Sequence, residues 1–187
     1  MGQIGRVLVL PPADWPAEGG SEPVLDRLEC LGGKGANQAV GLAQLGVPVA
    51  RVEFVDALAI RAINRHDNLT LPETPHLFFE FHGTEAGVRE QAETVQEIVA
   101  EHGGQGFEWA TRPEDRSRLW NARHTAYFAM LQLKPGCRAV TTDVCVPISR
   151  LADCVTETER DLNASSLPCP IVGHVGDGNF HVAILVD

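Results

Sequence analysis

The sequence predicts an α+β fold in which a mixed or antiparallel sheet is packed by helices, and three observations predict it. Strand-like and helix-like periodicities alternate along most of the 187 residues. The chain closes on a β-hairpin pattern, and no glycine-rich turn comes after an opening strand, as a doubly wound nucleotide-binding sheet would need. With 44% hydrophobic and 21% charged residues, there is material for one domain with a sizeable core plus an appendage.

Residues 6–10 read as a short strand. Pro11, Pro12, Pro16, Gly19, Gly20 and Pro23 deny regular structure to the next stretch, so residues 1–47 are set apart as an irregular N-terminal segment ahead of a domain of residues 48–187. Late in that segment GANQAVGLAQLG carries helical spacing in Ala36, Val40 and Ala43, with Gly46 as its stop, and VPVARVEFVD succeeds it as a strand. DALAIRAINR reads as helix and HLFFEFHG as strand, parted by a loop around Pro72 and Pro75. Val88, Ala92, Val95 and Val99 line one face of an amphipathic helix, with Thr84 as N-cap and Gly103 past its end. The strand GFEWA comes next. Thr111, Pro113 and Glu114 form a capping box opening a helix that runs to about Leu131, and RAVTTDVCV is a further strand. Pro147 and Ser149 start a helix whose Leu151, Val155, Thr158 and Leu162 share a face, ending before Pro168. Apolar CPIV, turn residues 176–179 and apolar FHVAILV then describe the closing hairpin.

Charge and composition exclude several classes. A net charge of −10 and a pI near 5.1 give no attraction to nucleic-acid phosphates or an anionic membrane. No apolar run approaches the ~20 residues needed to span a bilayer. The opening MGQIGRVLVLPP has no signal-peptide order, and Arg6 stands where myristoylation needs Ser or Thr. Five cysteines with no C-x-x-C pair point to reduced thiols, hence a cytoplasmic location.

Three features could carry chemistry. In GHVGDGNFH, His174 and His181 stand seven residues apart, one near each end of a tight turn. Neutral imidazoles ligate zinc and related metals, but a catalytic site usually has three protein ligands, so satisfied strand histidines remain the other reading. Arg123, three residues after Trp120 and four before Tyr127, shares a helical face with two aromatics. Its partner is a substrate carboxylate, a structural Asp or Glu, or solvent. Gly32, Gly33 and Gly35 precede a helix and either present amides to an anion or only permit a turn.

The motifs PVARVEFVDALAIRAINR, HLFFEFHG, LWNARH, TDVCVPISRL and PIVGHVGDGNFH resemble, in order, the C-terminal domain of FAD-linked D-lactate dehydrogenases of the vanillyl-alcohol-oxidase type. The resemblance implies an FAD flavoprotein oxidising a D-2-hydroxy acid, with hydride passing to the flavin and electrons to a cytochrome or quinone-type acceptor. It implies that His174 and His181 help hold a divalent metal such as zinc or manganese, that Arg123 binds the substrate carboxylate, and that Asn179 contacts the cofactor. The family's FAD-binding domain and its later Gly-Glu-His-Gly stretch, source of a third ligand and the catalytic histidine, have no counterpart in these residues. No catalytic residue is therefore assigned, and this fragment is expected to be inactive alone. A non-catalytic remnant or interaction module is the alternative. A final strand lacking a neighbour would leave an exposed edge and favour self-association. Separately, GGKGANQAVGLAQLG resembles a ribokinase-like sugar-kinase motif, but that family's Gly-Ala-Gly-Asp type motif is missing and phosphoryl transfer is not supported.

Overall fold

A computed structural model describes residues 2–9, 49–101, 103–110 and 112–187, the first of these segments as backbone. The GANQAVGLAQLG helix, Gly32, Gly33, Gly35, Cys30 and the Thr111 cap lie outside the described residues. The elements are β1 (Gly2–Val9), β2 (Arg51–Val55), α1 (Ala57–Asp67), β3 (His76–Gly83), α2 (Glu85–Glu101), β4 (Gln105–Ala110), α3 (Pro113–His124), α4 (Ala126–Leu131), β5 (Arg138–Thr141), β6 (Val144–Cys145), α5 (Ile148–Asn163), β7 (Ile171–His174), a turn of 3-10 helix (Val175–Asp177) and β8 (Asn179–Val186).

These strands form one sheet in the order β4-β1-β3-β2-β7-β8-β5, with β6 also paired to β8. Every pairing among the described strands is antiparallel, which resolves the mixed or antiparallel expectation. Side chains alternate across the sheet, so β2, β3, β7 and β8 each feed two cores. On one face Val52, Phe54, Phe79, Phe81 and Phe180 pack with Val88, Ala92, Val95 and Val99 of α2 and Leu151 and Val155 of α5. On the other, Val55, Phe78, Val172 and Leu185 pack with Ile60 and Ile63 of α1 and Ala126 and Met130 of α4. Burial of each large apolar side chain contributes about 1.5–3 kcal/mol, so covering both faces is what holds the sheet.

Local chemistry sets the helix ends. Asp56 caps α1 by accepting from the Ala59 amide at 2.7 Å, and Asn68 ends it in the left-handed region at φ 53°. Thr84 Oγ1 accepts from the Gly87 amide at 3.2 Å, the cap expected for α2.

Three expectations need correction. The helix opening near Pro113 does not run unbroken to Leu131: it is interrupted at Thr125, whose hydroxyl donates to Asp67 Oδ2 at 2.8 Å and so ties the chain to α1. Tyr127 therefore belongs to a different helix from Arg123 and is 44% exposed. The RAVTTDVCV strand is two, β5 and β6, separated at Thr142, whose Oγ1 accepts from the Val182 amide at 3.0 Å. The last strand is not an edge. β8 is flanked by β7 on one side and by β5 and β6 on the other, and the sheet ends at β4 and β5.

Candidate functional site

The site lies on the face covered by α1, α3 and α4. In the closing hairpin His174 stands opposite Asn179 and His181 opposite Val172. Strand alternation puts His174, Asn179 and His181 on one face. The two imidazole rings lie with centroids 6.0 Å apart and planes at 84°. Two glycines permit this hairpin. Gly178 takes φ 76°, and a Cβ there would run into the Val146 carbonyl; a Cβ on Gly173 would come within 2.7 Å of Phe180.

β2 adds a residue that the sequence reading missed. Phe54 pairs with Gly173 and Val55 with Val172, which carries Glu53 alongside His174. The Glu53 side chain is 3% exposed, yet both of its oxygens have partners. Oε1 accepts from His174 Nδ1 at 2.6 Å. Oε2 accepts from Arg123 Nε at 3.2 Å and Nη2 at 3.0 Å. Of the partners open to Arg123, the structure thus supplies a buried carboxylate. The one sequence signal for Glu53 is an acid inside the apolar run VEFV.

His181 turns Nδ1 toward the Thr142 carbonyl at 3.2 Å, with Asp143 Oδ1 at 3.4 Å. Asn179 Nδ2 donates to Asp143 Oδ1 at 2.8 Å and to the Val144 carbonyl at 3.1 Å. A carbonyl or carboxylate oxygen facing a ring nitrogen takes the acceptor's part, so the contacts match Nδ1 as donor in both rings, with each Nε2 left to other partners. Among the described residues no three or more His, Cys, Asp or Glu are grouped to hold a metal ion.

A cavity of about 490 Å³ opens beside His174, walled by Arg51, Glu53, Trp120, Arg123 and Asp177. The Arg51 guanidinium sits 5.2 Å over the Trp120 ring and pairs with Glu80 at 3.7 Å, giving the cavity a flat cationic wall. Elsewhere, buried His76 donates from Nδ1 to the Thr74 carbonyl at 2.7 Å, and burial pushes its imidazole down to about 4.

No helix of the described residues is long and apolar enough to cross a membrane. Residues 33–187 match the family model for FAD linked oxidases, C-terminal domain. That match crosses the expected division at residue 47 and takes in most of GGKGANQAVGLAQLG. A probable mitochondrial D-lactate dehydrogenase of Danio rerio is 50% identical over 151 residues, covering 81% of this chain and 30% of that protein. A mitochondrial D-lactate dehydrogenase [cytochrome] of Arabidopsis thaliana is 45% identical over 152 residues, covering 81% and 27%. A glycolate oxidase subunit of Escherichia coli K12 is 29% identical over 155 residues, covering 81% and 31%. The chain thus spans about a third or less of these relatives. Among solved structures, p-cresol methylhydroxylase with substrate bound shares the fold at a TM-score of 0.58 and 13% identity, covering 98% of this chain and 38% of that one. With the family model spanning most of its length, the chain belongs to the FAD linked oxidases, within their C-terminal domain.

Proposed function

We propose that this chain forms the substrate and metal side of an FAD-dependent dehydrogenase acting on D-lactate or a similar D-2-hydroxy acid. The observation that carries the reading is the imidazole pair: two rings on one sheet face, 6.0 Å apart, each with Nδ1 engaged and Nε2 left to other partners. Two imidazoles bonded to one tetrahedral ion at about 2.1 Å hold their centroids about 5.3 Å apart, so the pair at 6.0 Å needs to close by less than about 1 Å to serve as two ligands of one zinc or manganese. Further ligands come from outside the described residues. When bound, the flavin supplies hydride acceptance and the cation polarises the hydroxy acid.

This chain's own residues bind and orient. His174 and His181 hold the cation. Arg123, with Nε and Nη2 committed to Glu53, presents the remaining edge of its guanidinium to the substrate carboxylate. Asn179, fixed by Asp143 and Val144, contacts the cofactor. Nucleic acid is not a partner on grounds of charge. The odd set of five cysteines with no C-x-x-C pair supports a reducing compartment, with cytoplasm as the sequence-based expectation and the mitochondrial names of the relatives as the alternative.

Isothermal titration of zinc or manganese into the chain and into His174→Ala and His181→Ala variants tests this. The expected result is uptake by the wild type and a loss of at least about tenfold in affinity in each variant. Equal uptake removes the metal role and selects the second reading, a non-catalytic folded module.

A further inference from the structure

We propose that Glu53 is a positioning residue, a single buried carboxylate that fixes the tautomer of His174 with one oxygen while aiming Arg123 with the other. The inference rests on the proposed roles of those two residues. The division of labour is explicit in the geometry: Oε1 faces His174 Nδ1 at 2.6 Å, and Oε2 faces Arg123 Nε at 3.2 Å and Nη2 at 3.0 Å. Both partners need an acceptor. A carboxylate is the one side-chain group of this size that offers an acceptor on each side. It holds Nδ1–H on His174 and so leaves Nε2 bare, the form in which an imidazole ligates a metal.

Glutamine has the same shape but one acceptor and one donor. Its carbonyl is drawn to the guanidinium, which never accepts, so its NH2 falls where Oε1 stood and faces His174 Nδ1. The ring then becomes the acceptor at Nδ1 and carries its hydrogen on Nε2. His181, held by the Thr142 backbone carbonyl, has no reason to change.

Long-range proton–nitrogen correlation spectra of the full chain read the hydrogen on each ring nitrogen of both histidines. The wild type is expected to show Nδ1–H on both rings, and Glu53→Gln to switch His174 alone. Adding Arg123→Met to Glu53→Gln frees the amide to turn, and Nδ1–H on His174 returns. Persistence of Nδ1–H on His174 in Glu53→Gln overturns the proposal. So does Nε2–H on His174 in the wild type, a measurement that needs no variant to fold. Zinc titrated into Glu53→Gln is expected to bind about 10–100-fold more weakly than into the wild type. Failure of the wild type to take up zinc counts against the metal reading and leaves the tautomer result to decide the role of Glu53; unchanged zinc affinity in Glu53→Gln counts against Glu53 alone.

Discussion

Removing both members of the Glu53–Arg123 pair is expected to cost clearly less than the two single losses added together. The Glu53 side chain is 3% exposed and that of Arg123 14%, with Nη2 and Oε2 3.0 Å apart. Stranding one member of a buried ion pair costs about 3–5 kcal/mol, because the survivor keeps its desolvation penalty without its partner. Arg123→Met leaves the Glu53 carboxylate buried with only His174 beside it, which places the loss at about 3 kcal/mol. Glu53→Gln leaves a guanidinium facing an amide oxygen, a milder loss of about 2 kcal/mol. The double variant buries neither charge and loses less than the sum, so the coupling energy comes to about 2 kcal/mol. Urea unfolding monitored by circular dichroism gives all four stabilities. With a slope of about 1–3 kcal/mol per molar urea, Arg123→Met moves the midpoint down by about 1–3 M. Because the pair is shielded from water, the coupling persists at about 0.5 M salt, where an exposed pair is screened out. Additivity of the two single changes to within about 0.5 kcal/mol would refute the claim that these groups form one buried unit.

Two further outcomes are expected. Burial holds the His76 imidazole down at about 4 against an ordinary 6.5, so between those values the unfolded chain binds a proton that the folded chain refuses. Its contribution is therefore present above pH 6.5 and is lost as pH falls toward 4, by up to about 3 kcal/mol. His76→Asn, which keeps a donor for the Thr74 carbonyl, should flatten that fall when urea midpoints are measured at neutral and acid pH; an unchanged slope contradicts the assignment. The second concerns association: β5 ends the described sheet, and its Val140 is 55% exposed. Light scattering should show concentration-dependent association that Val140→Lys reduces, and a chain that is monomeric at every concentration removes the expectation.

The parts of the fold that could be read in the sequence were those that repeat locally. Val88, Ala92, Val95 and Val99 mark α2 because successive turns of one helix bury them all. The hairpin and its paired histidines were legible because a turn-rich GDGN between two apolar runs fixes strand parity over a few residues. Glu53 was not legible as a site residue, since its partners Arg123 and His174 lie 70 and 121 positions away and no local pattern links them. The break at Thr125 was hidden for the same reason, since the Asp67 carboxylate that its hydroxyl meets lies 58 residues earlier. Strand order is likewise a property of the whole chain, which is why β8 was expected at an edge and lies between neighbours.

That placement of β8 has a consequence for cooperativity. β5 and β6 pair with no described strand except β8, whereas β2 and β7 pair with each other without it. One ring of the histidine pair thus stands on a strand held directly by β2, and the other on the strand that keeps β5 and β6 in the sheet. Loosening β8 would therefore part the two imidazoles and unseat β5 and β6 in a single event, which ties the integrity of that face to the stability of one strand.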